Sequence, residues 1–234
     1  MKNAQAVEQI GLVRVFAMSN YILKYKRSDE VKYISHLDFV RFMQRVMRRA
    51  GLPMAFSSGF NPHPIMSVAL PLSVGVTADG ELMKIGLDGD FTETEILSTL
   101  NSAFPPGFEA LKIKKTEGKE FDFNKINRAV YICCCETDIK PDIEKFLSNE
   151  KILVMKKSKS GIKEADIKPH IHSLEIIECD ENSVTFKMCV DAGNLYNLKP
   201  DSVIEAMQIY DESFKTAFYT TKRVALLCGN KELF

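Results

Sequence analysis

The chain has 234 residues, 31 basic and 31 acidic side chains, and 45% hydrophobic residues. That balance excludes a uniformly basic nucleic-acid binder, an acidic tail protein and a disordered chain. No run approaches the roughly eighteen apolar residues of a membrane-spanning helix, so no membrane partner is expected.

Residues 1–19 read as an N-terminal extension. Glu8 and Arg14 interrupt its most apolar part, which breaks the pattern of a secretion signal and leads to the expectation of a cytoplasmic protein. Residues 21–26 alternate as a strand, and 35–50 carry helical periodicity closed by Gly51. A short strand begins at 53–57 and runs into a long loop. A strand over 81–87, a helix over 93–103 stopped by Pro105 and Pro106, and a strand over 108–115 follow. The order β-α-β-β-α-β is the ferredoxin-like pattern. Charge is uneven across it: residues 20–76 hold eight bases against three acids, and 77–111 hold one base against seven acids.

A polar stretch over 118–125 links two halves, and the order then recurs more loosely. Strand 128–136, helix 141–147, strand 152–156, a hairpin of 174–178 and 184–190, helix 202–209 and strand 217–227 are expected. The predicted fold is therefore α+β, with two tandem ferredoxin-like units over 20–118 and 126–234, each with its own antiparallel sheet. Cys133, Cys134 and Cys135 lie inside a strand pattern and read as small buried hydrophobes. Neither they nor Cys179, Cys189 and Cys228 show the CxxC spacing of a metal site, so no metal or cofactor is expected.

The chemistry concentrates between residues 33 and 75. Ser35 and Asp38 have the spacing of a helix cap, and His36 falls at the first helical position, where free N–H groups favour anions. At 100° per residue, Phe39, Met43, Val46, Met47 and Ala50 form a core arc. Arg41, Arg45, Arg48 and Arg49 share the opposite arc with Asp38. Solvated helix faces usually mix Lys with Glu; arginines alone suit phosphate or carboxylate recognition, although a plain solvated face is the competing reading. In 57–64, Gly59 permits a positive φ while Pro62 and Pro64 stiffen the chain. This loop would present Ser57, Phe60, Asn61 and His63. His170 and His172 read as surface residues.

The combination of Ser35-His36-Leu37-Asp38, Arg48-Arg49-Ala50-Gly51-Leu52-Pro53, Ser57-x-Gly59-Phe60-Asn61-Pro62-His63-Pro64 and Pro71-Leu72-Ser73-Val74-Gly75 resembles the bacterial radical SAM-linked protein family. The resemblance implies a radical SAM protein as partner, and the family's gene context implies RNA-related work. The chain itself lacks the three-cysteine radical SAM motif, so an accessory module is expected rather than an enzyme. It would bind RNA or another anionic substrate for that partner. The alternatives are a metal-independent RNA-processing endonuclease using His36 and His63, and a protein-binding scaffold. His36 and His63 are expected to converge at one end of the sheet with Arg41 and Arg45 close by, making a small anion pocket.

Overall fold

Alternation sets the first strand. In β1 (Met18–Arg27), Ser19, Tyr21, Leu23, Tyr25 and Arg27 share one buried face. The computed structural model describes residues 18–117, 121–158 and 161–234. Residues 1–17 of the expected extension and 118–120 of the expected linker lie outside them.

Helix α1 (His36–Arg49) starts where Ser35 Oγ accepts the Asp38 N–H, the cap its spacing predicts. It ends in a Schellman turn: Gly51 N–H donates to Arg48 O and Leu52 N–H to Met47 O, with Gly51 at φ +67°. Phe39, Met43, Val46 and Met47 are buried against β1, as the arc requires, while Ala50 is only partly buried. β2 (Met66–Val68) and the long β3 (Val76–Asp88) follow, then α2 (Glu93–Ala103), opened by the Thr92–Glu95 capping box, and β4 (Phe108–Thr116).

The second half contains β5 (Arg128–Glu136), the short α3 (Ile143–Ser148), β6 (Leu153–Ser158), β7 (Gly161–Asp166), β8 (Ile171–Cys179), β9 (Ser183–Asp191), α4 (Pro200–Tyr210), β10 (Tyr219–Cys228) and β11 (Lys231–Glu232). β6 and β7 form a separate two-stranded hairpin, which the sequence pattern did not indicate. No helix among the described residues is long and apolar enough to cross a membrane.

Among the described residues the fold is α+β with four α-helices, but the expectation of two separate sheets needs correction. A single nine-stranded sheet runs in the order β4-β1-β3-β10-β5-β9-β8, with β2 added to β3 and β11 to β10. Every pairing in it is antiparallel except β3 with β10. The reason is the length of β3. β2 covers only Met83–Ile85 on its outer edge, and β10 takes up Val76–Ala78 through Thr221–Arg223. An open edge would leave backbone N–H and C=O groups unpaired, so a second strand is drawn to it. Two apolar clusters remain, one for each half, on this shared sheet.

Charge crosses the seam with the backbone. Glu81 on β3 and Arg223 on β10 form a bidentate pair, and Arg223 also donates to Leu70 O, two residues past β2. Both residues are buried, Glu81 at 1% exposure and Arg223 at 2%. Burial by itself lowers the guanidinium pKa, and the Glu81 carboxylate more than reverses this, leaving it raised. Tyr25 pairs with Glu81 across β1 and β3, and Tyr131 with Arg223 across β5 and β10. Tyr25, Glu81, Arg223 and Tyr131 thus form one polar row across four adjacent strands.

Candidate functional site

Several of the sequence candidates bind one another. Ser35 Oγ donates to the Asp38 carboxylate at 2.8 Å, and Arg41 reaches the same carboxylate at 3.3 Å. Arg49 donates to the carbonyl of Ala103, tying α1 to the C-terminus of α2. Ser35, Asp38 and Arg49 therefore hold the fold. Arg41 is exposed but half committed to Asp38. Arg45 and Arg48 are exposed and make no ion pair among the described residues.

The loop over 57–63 is closed at its base. Ser57 N–H donates to His63 O, Ser57 Oγ accepts the His63 N–H, and Ser57 Oγ lies 3.0 Å from His63 Nδ1. Phe56 bridges Pro64 just below. Gly59 turns the tip at φ +123°, as its position predicts. Asn61 is exposed, and the Phe60 ring is fully exposed, a costly place for an aromatic unless it has a partner to meet.

The register separates the two histidines. His36 follows the end of β1, where Arg27 pairs with Ala78. The loop stem sits on Gly86, which bonds both Ala55 and Ile65 and pairs with Asn20. Seven residues of β1 at about 3.3 Å each put roughly 23 Å of strand between these levels. The expected convergence of His36 and His63 is therefore corrected. A helix that crosses back over its strand delivers the next segment to the strand's opposite end. The loop instead shares an end with the C-terminal part of α1, because Pro53 O, soon after Arg48, accepts from Asp88 N–H.

What joins the start of α1 is the Pro71–Gly75 motif. Gly75 N–H donates to Lys32 O, and Arg27 reaches from β1 to Val31 O and Ile34 O. Residues 71–76 also line a cavity of about 260 Å³ at the seam, with Tyr131, Lys199, Asp201, Tyr219, Thr221 and Arg223 among its walls. Sequence reasoning missed this grouping, because its residues come from both halves. His170 and His172, read as surface residues, both hydrogen-bond Asp191; His172 is exposed as expected, while His170 is partly buried. Among the described residues no group of three or more His, Cys, Asp or Glu could hold a metal ion.

The chain belongs to a family described as an uncharacterized protein conserved in bacteria (DUF2344), whose model matches residues 20–200. No curated protein matches it. Among solved structures, it is similar to a chain from a Cbf5-Nop10-Gar1 complex at 9% identity and a TM-score of 0.49, covering 88% of this chain and 48% of that one. The chain thus spans about half the length of that protein. An unknown protein from Galdieria sulphuraria matches at 14% identity and a TM-score of 0.26, covering 89% of this chain and 100% of that one.

Proposed function

We propose that the protein is an accessory binding module that takes single-stranded RNA on the surface formed by Arg45, Arg48 and the 57–63 loop. What carries this reading is that two exposed arginines without an ion pair among the described residues and a fully exposed phenylalanine on a closed loop belong to the same end of the sheet. Guanidinium groups neutralise phosphates, and an exposed ring stacks on bases of any sequence. Asn61 and His63 flank that ring as further polar contacts. We read each half as a ferredoxin-like unit; the spatial orders β4-β1-β3-β2 and β10-β5-β9-β8 support this. The resemblance to radical SAM-linked proteins supports a radical SAM enzyme as the partner that acts on the bound strand. No observation favours the endonuclease reading, since its two histidines stand at different ends of β1.

The test is a salt titration of binding to an unstructured oligoribonucleotide. Phe60→Ala is expected to weaken binding by about 1–3 kcal/mol with unchanged thermal stability. The Arg45→Ala, Arg48→Ala pair is expected to lower the slope of log affinity against log salt by about 0.7 per lost phosphate contact. Binding to the radical SAM partner that depends on these arginines, with no RNA affinity at any salt, would make the protein a scaffold instead.

A further inference from the structure

We propose a second binding site, in the seam cavity, for a neutral heteroaromatic ring with hydrogen-bonding edges, the chemistry of a nucleobase. It stands whether or not the arginine surface binds RNA. The cavity is built from three pieces. Its floor is the strand pair β5–β10, through Tyr131, Tyr219, Thr221 and Arg223. One wall is the first turn of α4, with Lys199 and Asp201, and the roof is the loop over 71–75. Lys32 O fixes that roof through Gly75 N–H.

Charge and shape select the ligand. Arg223 is neutralised by Glu81 and held by Leu70 O, so the deepest cation is already spent. The remaining charges, Lys199 and Asp201, have opposite sign and sit two residues apart. A phosphate or carboxylate would meet Asp201, and an ammonium would meet Lys199. A neutral ring meets both favourably, because its N–H edges can donate to Asp201 and its carbonyl or ring nitrogen can accept from Lys199 or Thr221. Tyr131 and Tyr219 add aromatic surface suited to a flat ring rather than a saturated one. Burial first, and the nearby Asp201 carboxylate second, raise the Tyr219 phenol pKa, so the hydroxyl keeps its proton. At about 260 Å³ the cavity lies just below the range of drug-sized ligands, roughly 300–1,000 Å³, and suits one base or nucleoside.

The same chemistry can arrive as a free nucleoside or as one unstacked base of a strand. Calorimetric titration with the four ribonucleosides tests the first source, and titration with a short unstructured oligoribonucleotide tests the second. Ribose, glycine and inorganic phosphate serve as controls. At least one nucleoside is expected to bind saturably while the controls do not. Asp201→Asn is expected to weaken it at least tenfold, and Lys199→Ala, at an exposed position, to weaken it without altering the melting temperature. Affinity confined to the oligonucleotide, and lost on Asp201→Asn, assigns the ligand to a strand. If neither substitution alters the affinity of any nucleoside or of the oligonucleotide, or if phosphate or glycine binds in their place, the proposal is overturned. The Arg45→Ala, Arg48→Ala pair probes the outer surface alone, so the two sites can fail separately.

Discussion

Asp191, at the end of β9, accepts from His170 at 2.8 Å and from His172 at 2.5 Å. The His170 ring stacks on Tyr196, with centroids 3.4 Å apart. Burial opposes the Asp191 charge, but the two histidine hydrogen bonds outweigh it and hold its pKa below the usual carboxylate range. A depressed carboxylate adds stability above its unfolded value of about 3.9, and that stability is lost as pH falls through the folded value. Asp191→Asn is therefore expected to flatten the acid limb of stability against pH, read by urea unfolding between neutral pH and pH 3. At the cysteines, alternation puts Cys133 and Cys135 on the buried face of β5 and leaves Cys134 partly exposed. Burial pushes the first two thiols up to about 12. Alkylation of the native protein at mildly alkaline pH is expected to label the exposed Cys179 and to spare Cys133 and Cys135 until unfolding.

Among the elements, α1 is the best specified. Its cap, its apolar arc and its Gly51 stop are local signals that agree, and local agreement is what makes a helix readable from sequence. Ser35→Ala removes the cap to Asp38 N–H and is expected to cost about 1 kcal/mol in chemical denaturation. Phe39 also supports the helix from within: the Arg27 guanidinium lies 5.1 Å from its ring centroid, and Tyr25 stacks on it at 5.3 Å. The segment after α1 was less legible. Predicted strand 53–57 survives only as single bridges at Met54 and Phe56, because the chain leaves the edge of β3 for the loop and rejoins it at Ile65. A detour of that kind has no periodicity to announce it.

For the molecule as a whole, the β3–β10 seam is where stability is most exposed to one substitution. Removing one partner of a buried ion pair leaves the other uncompensated, which costs about 3–5 kcal/mol. Arg223→Ala is expected to lose that much in urea unfolding, and to unfold both halves in one transition, because they share a sheet. The double change Glu81→Leu, Arg223→Leu removes both charges and is expected to cost markedly less. If the single and double variants unfold alike, the pair adds nothing beyond its packing.

The element order of the first half outside 53–57, the ends and buried face of α1, the burial of Cys133 and Cys135 and the Gly59 turn were determined by neighbours within about a dozen residues. Periodicity, capping residues and stiffening prolines act over that range, so they could be read directly. Which of those elements meet was decided only in three dimensions. Glu81 and Arg223 are 142 positions apart, and no local pattern tells either residue that the other will neutralise it. The same holds for Asp201 facing the 71–75 loop, and for His36 and His63, which lie close in sequence yet belong to opposite ends of a strand. Strand pairing selects partners by matching open edges and buried charge across the whole chain, a long-range condition that sequence spacing does not record.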